Sequence, residues 1–226
     1  MKPQHVLFVV TSASRMTNGK PTGLWAEEFT VPYLLCRSAG LRVSVASAAG
    51  GSAPLDPRSA AEVDQHPEWQ PALAALSHTE TLNKMHADNF DALFIPGGHG
   101  CMFDLAHSAA MSRLLREFRQ QQKLMAAVCH GPAAFVDARD EQGIPIIQNR
   151  KLTAFSNAEE DAVGLTSAMP FLLETELRNH GGQFIAAANF TEHAIQDEWL
   201  ITGQNPASSA AAAKLLLQAL GRKETA

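Results

Sequence analysis

The sequence predicts an α/β fold in which a mostly parallel central sheet is covered by helices on both faces, giving a three-layer sandwich. Two observations predict it. Short apolar runs alternate along the chain with longer segments of helical periodicity, and the first run, at residues 5–11, is apolar on both of its faces. A strand that is buried on both faces is typical of a parallel sheet with helices on each side.

Seven segments have the composition of strands, and four segments between them have the apolar spacing of helices. Glycines at 40 and 181 follow the ends of two helices, as expected of helix-terminating residues. The strand candidates are residues 5–11, 41–47, 91–96, 124–128, 151–155, 183–187 and 199–202, of which the last three are weaker, and the helix candidates are residues 23–39, 109–122, 169–180 and 206–220.

The length of 226 residues fits one domain, residues 1–226, with a sizeable core. Residues 50–71 are rich in Pro, Asp, Ser and Gly, and we expect them to form a loop or lid insertion that leaves the sheet. A net charge of −5 without a basic run disfavours nucleic-acid binding.

The sequence also disfavours membrane, metal and disulfide functions. No apolar stretch approaches the roughly 20 residues that span a bilayer, and residues 1–5 lead straight into a strand without a signal-peptide pattern. We therefore expect a cytoplasmic protein. Three widely spaced cysteines argue against a disulfide framework, and the absence of CxxC and HxxxH pairs leaves no strong metal-site signal. We expect no cofactor.

Ligands of parallel α/β sheets bind at the carboxyl ends of the strands. This rule indicates four loops, residues 11–22, 97–104, 129–132 and 156–160. We expect the functional side chains to come from these loops and from the helix that follows the first of them.

Cys129 is the best candidate for a reactive group. A strand of small apolar residues runs into Cys129-His130-Gly131-Pro132, and Pro132 fits the first turn of a helix. Such a sharp strand-to-helix turn presents a nucleophile above the sheet, and a helix N-terminus lowers a thiol pKa. The alternative is that Cys129 is a small buried apolar residue, the usual role of a free cysteine and the role we expect for Cys36. For Cys101 the alternatives are a bystander, which we expect, and a redox-sensitive thiol.

The glycine-rich turn Pro96-Gly97-Gly98-His99-Gly100 directly follows a strand. Its backbone N–H groups can point at an oxyanion, although its spacing matches no phosphate-binding loop, and a plain tight turn remains the alternative.

Glu28 is unusual because it shares a helix face with apolar residues. Burial raises the pKa of a carboxyl group and makes it a proton carrier near neutral pH. Pro32 cannot donate to the carbonyl of Glu28 and loosens the helix there. The alternative is that Glu27 and Glu28 are both exposed in the first helical turns, where carboxylates are favoured.

Five ordered stretches together resemble the ThiJ/PfpI superfamily, whose fold is flavodoxin-like and is that of class I glutamine amidotransferase domains. The likeness is greatest to its heat-shock-chaperone-like branch, known as glyoxalase III or D-lactate dehydratase. The stretches are residues 22–28, 98–104, 126–132, 153–160 and 200–208.

The resemblance implies roles for particular residues. It implies Cys129 as nucleophile, His130 as its neighbouring base and Glu28 as the helical glutamate. It implies Glu160 as the third acid of the triad, with Glu159 as an alternative one residue away. The oxyanion donors that it implies are the backbone N–H groups of Gly98 or His99 and of His130, and Trp25 is a further substrate contact. The metal-site residues of larger relatives have no evident counterpart, so we expect no bound metal.

The resemblance also implies an activity: conversion of methylglyoxal to D-lactate without glutathione, by a homodimer. The substrate expected is therefore a small, methylglyoxal-like aldehyde. Three alternatives remain, namely a protein deglycase with the same nucleophile, a holdase chaperone of the stress response, and a redox sensor in which Cys129 is oxidised.

Overall fold

The computed structural model describes residues 3–221 and contains a seven-stranded sheet and a separate two-stranded sheet. The predicted domain runs from 1 to 226, so residues 1–2 and 222–226 lie outside the described part of the chain. The strands are β1 His5–Val10, β2 Arg42–Ser47, β3 Glu80–Thr81, β4 Ala92–Ile95, β5 Leu124–Val128, β6 Lys151–Leu152, β7 Gln183–Phe184, β8 Ala194–Asp197 and β9 Leu200–Gly203.

The large sheet has the strand order β3-β2-β1-β4-β5-β9-β8. All of its neighbouring strands are parallel except β8 and β9. The parallel pairing of β4 with β5 matters for function, because the loops that follow these two strands, residues 97–104 and 129–132, start side by side.

Helices cover both faces of this sheet, which confirms the predicted three-layer α/β fold. One face packs against α1, α3 and α8, and the other packs against α4, α5 and α7. The helices are α1 Ala26–Ser38, α2 Pro57–Val63, α3 Gln70–Ala74, α4 Cys101–Asp104, α5 Ala109–Gln120, α6 Asn157–Ala162, α7 Leu173–Asn179 and α8 Ser209–Ala219.

Alternating side chains of β1 show why the chain forms this sandwich. Val6, Phe8 and Val10 pack with α1 and α8, whereas Leu7 and Val9 pack on the opposite face. All five are fully buried, so β1 is apolar on both faces after His5.

The structure differs from the sequence prediction at the periphery. The segments predicted at 151–155 and 183–187 form strands, but they pair with each other as β6 and β7 outside the main sheet. Strand β8 was not predicted, because its residues are partly exposed at a sheet edge and lack an apolar pattern.

The excursion at residues 50–71 contains helix α2 and is joined by backbone hydrogen bonds to the segment before α1. Leu24 N–H donates to Pro54 O at 2.9 Å, and Asp56 N–H donates to Leu24 O at 2.8 Å. These bonds hold the start of α2 beside the start of α1. No helix among residues 3–221 has the length and apolarity that crossing a membrane demands.

Candidate active site

Cys129 lies at the sharp turn that ends β5. Its backbone has φ 56°, a left-handed conformation that is strained for a residue with a side chain. Two bonds fix this conformation: Cys129 N–H donates to Gly203 O at 2.9 Å, and Phe155 N–H donates to Cys129 O at 2.9 Å. The turn therefore has the strained geometry of a nucleophile elbow.

Glu28 lies on the buried side of α1 and is fully removed from solvent. Its Oε2 accepts a hydrogen bond from Gly97 N–H at 2.7 Å. Its Oε1 has no partner within ordinary hydrogen-bond limits, but the Cys129 thiol is close enough to shift the carboxyl pKa. Burial raises the pKa of Glu28 to about 8, although the thiol and the Gly97 N–H partly oppose this. At neutral pH the carboxyl is therefore largely protonated.

The glycine-rich turn brings its backbone against both Glu28 and Cys129. A Cβ at Gly97 would lie 2.6 Å from Glu28 Oε2 and 2.6 Å from His130 N. Gly98 has φ 99°, and a Cβ there would lie 2.3 Å from Gly23 O. The N–H of Gly98 faces the sulfur of Cys129 and favours its thiolate form. These two positions need glycine because any side chain would separate the turn from the site.

His130 and Glu160 complete a triad with Cys129. Sγ of Cys129 lies 3.3 Å from His130 Nδ1, and His130 Nε2 lies 2.7 Å from Glu160 Oε2. Burial alone would raise the pKa of Glu160, but hydrogen bonds from His130 and His99 outweigh it and hold that pKa well below its ordinary value. Glu160 is therefore ionised at neutral pH.

The carboxylate of Glu159, the alternative to Glu160, accepts hydrogen bonds from other groups and not from His130. Its Oε2 accepts from the N–H and hydroxyl of Ser156 in a capping box at the start of α6. Its Oε1 accepts from Phe190 N–H at 2.8 Å and from Asn205 Nδ2 at 2.9 Å. The structure thus brings Glu160, and not Glu159, against His130.

The side chain of His99 extends the triad. Its Nε2 lies 2.9 Å from Glu160 Oε1, and its Nδ1 lies 2.9 Å from Nη2 of Arg58. Burial, followed by the charge of His130, lowers the pKa of His99 to about 4. His99 is therefore neutral at pH 7, and Glu160 lies between two imidazoles.

The Cys129 thiol opens on a cavity of about 260 Å³. Its floor is polar and its walls are mainly apolar, so the cavity suits a small ligand with one reactive polar end. The lining residues are Trp25, Arg58, Gly98, His99, Cys129, Phe155, Val163, Phe190 and Pro206.

The pKa of the thiol differs from the sequence expectation. Burial and then the negative charge of Glu28 raise the pKa of Cys129 well above its ordinary value. The expected helix dipole is weak, because the turn leads into a five-residue 3₁₀ helix, Gly131–Phe135, and not into an α-helix. Deprotonation of Cys129 therefore depends on Glu28 retaining its proton.

The sequence profile of the DJ-1/PfpI family matches residues 22–219, which include all of these side chains. The chain belongs to the DJ-1/PfpI family. This assignment confirms the resemblance found in the sequence.

Three similar proteins show how far the likeness extends. The glutathione-independent glyoxalase HSP31 of Saccharomyces cerevisiae is 28% identical, over 97% of this chain and 99% of its own. The crystal structure of glyoxalase III from Candida albicans has a TM-score of 0.83 at 25% identity, covering 96% of this chain and 97% of that one. The rapid encystment protein of 24 kDa from Francisella tularensis has a TM-score of 0.91 at 32% identity, covering 96% and 99%.

In this DJ-1/PfpI chain, His99, His130 and Glu160 also have ligand atoms within 4.8 Å of one another. Each of these atoms already takes part in a hydrogen bond within the cluster or with its neighbours. We interpret the cluster as a hydrogen-bonded network.

Of the residues that the sequence indicates, Trp25, Gly98, His99 and Cys129 line one cavity. Glu28 and His130 are fully buried beside Cys129, and Glu160 lies against His130. Sequence reasoning missed the residues that shape the cavity mouth and rim, namely Arg58, Phe155, Val163, Phe190 and Pro206. The pair Asp56-Pro57, a helix N-cap followed by proline at the first position, signals the start of α2 but not the contact of Arg58 with the site.

Proposed function

We propose that this protein is a glutathione-independent glyoxalase that converts methylglyoxal to D-lactate. The observation that carries the proposal is the position of the Cys129 thiol, at a cavity floor between a protonated buried carboxyl, Glu28, and an imidazole, His130. The names of the relatives in yeast and Candida albicans support the same activity.

The first step joins the enzyme to the aldehyde. The Cys129 sulfur attacks the aldehyde carbon, the thiol proton passes to His130 Nδ1, and the carbonyl oxygen becomes an oxyanion. Backbone N–H groups of Gly98, His99 and His130 stabilise this oxyanion, and one such donor contributes about 3–4 kcal/mol in well-studied sites. Protonation of the oxyanion gives a hemithioacetal.

The second step moves hydrogen between the two carbons without an external oxidant. A base removes the proton from the former aldehyde carbon, giving an enediol, and the neighbouring carbon is then protonated. The first carbon is oxidised to a thioester and the second is reduced to an alcohol. Glu28 and His130 are the two proton carriers, and Glu160 orients the imidazole. Water then cleaves the thioester, releasing lactate and regenerating the thiol.

Trp25 and the other apolar walls limit the access of water to the sulfur until the thioester has formed. No side chain in this scheme needs a metal or an organic cofactor. Assembly as a homodimer and a cytoplasmic location remain predictions from the sequence.

The test is product analysis with methylglyoxal and no added thiol, followed by enantiospecific assay of the lactate. We expect D-lactate from the wild type, and we expect Cys129→Ala and Glu28→Gln to lose at least about a hundredfold in kcat/KM. Cys36→Ala is the matched control, since Cys36 is buried in the core away from the cavity. L-lactate as the product, dependence on glutathione, or wild-type turnover by Cys129→Ala would contradict the proposal.

Protein deglycation is a second candidate because the cavity mouth is apolar and open. Phe190 and Val163 line it while remaining 49% and 39% exposed, so an adduct on a peptide could reach the floor. A purified glycated peptide freed of methylglyoxal separates the two activities. Release of the unmodified peptide under these conditions supports deglycation, and its persistence excludes it.

A further inference from the structure

A continuous set of hydrogen bonds links the triad to the excursion at residues 50–71. It begins at Asp56 and Arg58, passes through the glycine-rich turn at His99, and continues to α6 and the elbow. The chain of side chains is Asp56, Arg58, His99, Glu160, His130 and Cys129, with successive donor–acceptor distances of 2.6, 2.9, 2.9, 2.7 and 3.3 Å.

The direction of these hydrogen bonds is set at the arginine. A guanidinium can only donate, so Nδ1 of His99 must accept from Arg58 Nη2. A neutral imidazole that accepts at one ring nitrogen carries its proton on the other. Nε2 of His99 therefore bears the proton and donates it to Glu160 Oε1.

The same argument gives the position of the proton on His130, which lies beside Cys129. An ionised carboxylate only accepts, so Glu160 accepts from His99 through Oε1 and from His130 through Oε2. When His130 is neutral its proton is thus on Nε2. Its Nδ1, 3.3 Å from the Cys129 sulfur, carries the lone pair that can take the thiol proton.

We propose that Arg58 is a positioning residue of this active site, whose guanidinium fixes the tautomer of His99 and, through Glu160, holds His130 with Nδ1 ready to accept the thiol proton. Arg58 acts through three other side chains and does not need to touch the reacting carbon. The role of His130 rests on the proposed function, but the hydrogen-bond direction does not.

Several interactions restrain the side chain of Arg58. Asp56 is fully buried and accepts from Nε at 2.9 Å and from Nη2 at 2.6 Å in a forked pair. Asp56 also caps α2 by accepting from Arg58 N–H at 3.0 Å. The guanidinium lies over the Trp25 ring at 5.9 Å. The predicted insertion therefore contributes a fixed part of the site.

Several charged or titratable groups face the Cys129–His130 pair, and a pH effect must be judged against all of them. They are Glu28 from α1, Asp56 and Arg58 from the start of α2, His99 from the glycine-rich turn, and Glu159 and Glu160 from α6.

The first test observes the tautomer directly. In protein labelled with ¹⁵N-histidine, we expect the wild type to show His99 with its proton on Nε2, and Arg58→Met to show a larger fraction of the Nδ1–H form, because Glu160 alone then favours the Nε2–H form. Arg113→Met is the matched control, because Arg113 also pairs with a carboxylate, Glu117, and donates to a histidine Nδ1, in His86. His99 protonated on Nδ1 in the wild type would overturn the proposal.

The second test measures the rate at which iodoacetamide alkylates Cys129, without any aldehyde. Two variants that leave the charge unchanged separate the hydrogen bonds from electrostatics. His99→Gln keeps one acceptor and one donor, whereas His99→Leu keeps neither. We expect the alkylation rate of Cys129 at pH 7 to fall about tenfold in His99→Leu and in Arg58→Met, with the pH profile displaced upward, and to stay within about twofold of wild type in His99→Gln.

Turnover and folding complete the test. Arg58→Met should lower kcat about tenfold with little change in KM, and Arg58→Lys should restore part of the loss. Melting temperatures identify variants that fail to fold, for which the His99 pair is compared instead. Equal alkylation rates in folded His99→Leu, His99→Gln and wild type would refute the inference even if glyoxalase activity is present. Absence of glyoxalase activity with the predicted tautomer and alkylation rates would contradict only the proposed function.

Discussion

The Glu28 carboxyl and the Cys129 thiol lie close enough in the protein interior for each to shift the pKa of the other, although one comes from a helix and the other from a strand end. Burial disfavours the ionised form of both groups, so the pair holds protons to a higher pH than either group does in water. A negative charge on one group also disfavours a charge on the other. The reactive state is therefore one in which Glu28 is protonated when the sulfur is ionised.

This relationship predicts a pH-dependent stability effect of Glu28→Gln. Burial raises the pKa of Glu28 from 4.5 to about 8, so between these pH values the folded state binds more protons than the unfolded state and loses stability as pH rises. Glutamine removes this loss. The free energy of unfolding of Glu28→Gln, relative to that of the wild type, should therefore increase from pH 5 to pH 8, by at most about 1.4 kcal/mol per pH unit.

Urea unfolding of the wild type and of Glu28→Gln at four pH values in that range measures this difference. The exposed carboxyl variant Glu80→Gln serves as the control. A difference in stability that is the same at pH 5 and pH 8 would show that Glu28 is ionised in the folded protein.

The two adjacent glutamates of α6 should give different phenotypes. Glu160→Gln places an amide against two imidazole donors, so kcat should fall by about 10²-fold or more. Glu159→Gln disturbs the contacts of Ser156, Phe190 and Asn205, so its main effect should be a lower melting temperature. Steady-state kinetics and thermal unfolding of both variants check this division. A larger kcat loss in Glu159→Gln than in Glu160→Gln would reverse the assignment.

The exposed Phe190 side chain should affect the recognition of larger aldehydes. It lines the cavity mouth, and its backbone is strained at φ 59°. Phe190→Ala should raise KM for phenylglyoxal about tenfold and change KM for methylglyoxal much less, because only the larger substrate reaches the mouth. Ile185→Ala, which removes a similarly exposed apolar side chain outside the cavity, should change neither KM. Equal effects of the two variants would show that Phe190 does not contact substrate.

The three cysteines should differ in their reaction with mild peroxide. Cys129 lines the cavity and is 4% exposed, whereas Cys36 and Cys101 are fully buried. Burial raises the pKa of Cys36 to about 12, which further suppresses its thiolate. Peptide mass spectrometry should therefore find sulfenic or sulfinic acid first at Cys129. Earlier oxidation of Cys101 would contradict this order and would remove support for a redox-sensing role of Cys129.

The elements that sequence analysis predicted best are those in which local pattern and tertiary environment agree. Residues 5–10 form a strand that is apolar on both faces and is buried on both faces. Cys129 was predictable because its small neighbours, glycine and proline are needed locally to make the turn. Ser156 and Glu159 also form a capping-box pattern, and recognising it would have decided between Glu159 and Glu160.

Arg58 could not be predicted in the same way. Its contact with His99 depends on how the excursion returns to the segment before α1, which long-range backbone bonds determine. Nothing in the neighbouring residues specifies that return. The same holds for Phe190 and Val163, whose proximity to Cys129 results from packing between distant loops.

The cavity combines two structurally separate sets of residues. The reactive groups sit at strand ends and on α1, where the surrounding packing leaves little freedom for change. The mouth is formed by Val163, Phe190 and Pro206, which come from turns and a short 3₁₀ helix later in the chain, whereas Phe155 is buried with its ring 4.7 Å from that of His130. Divergence in substrate preference can therefore proceed by exchange of mouth residues while the chemistry is inherited intact, and a directed-evolution library restricted to these positions should yield altered selectivity without loss of the nucleophile.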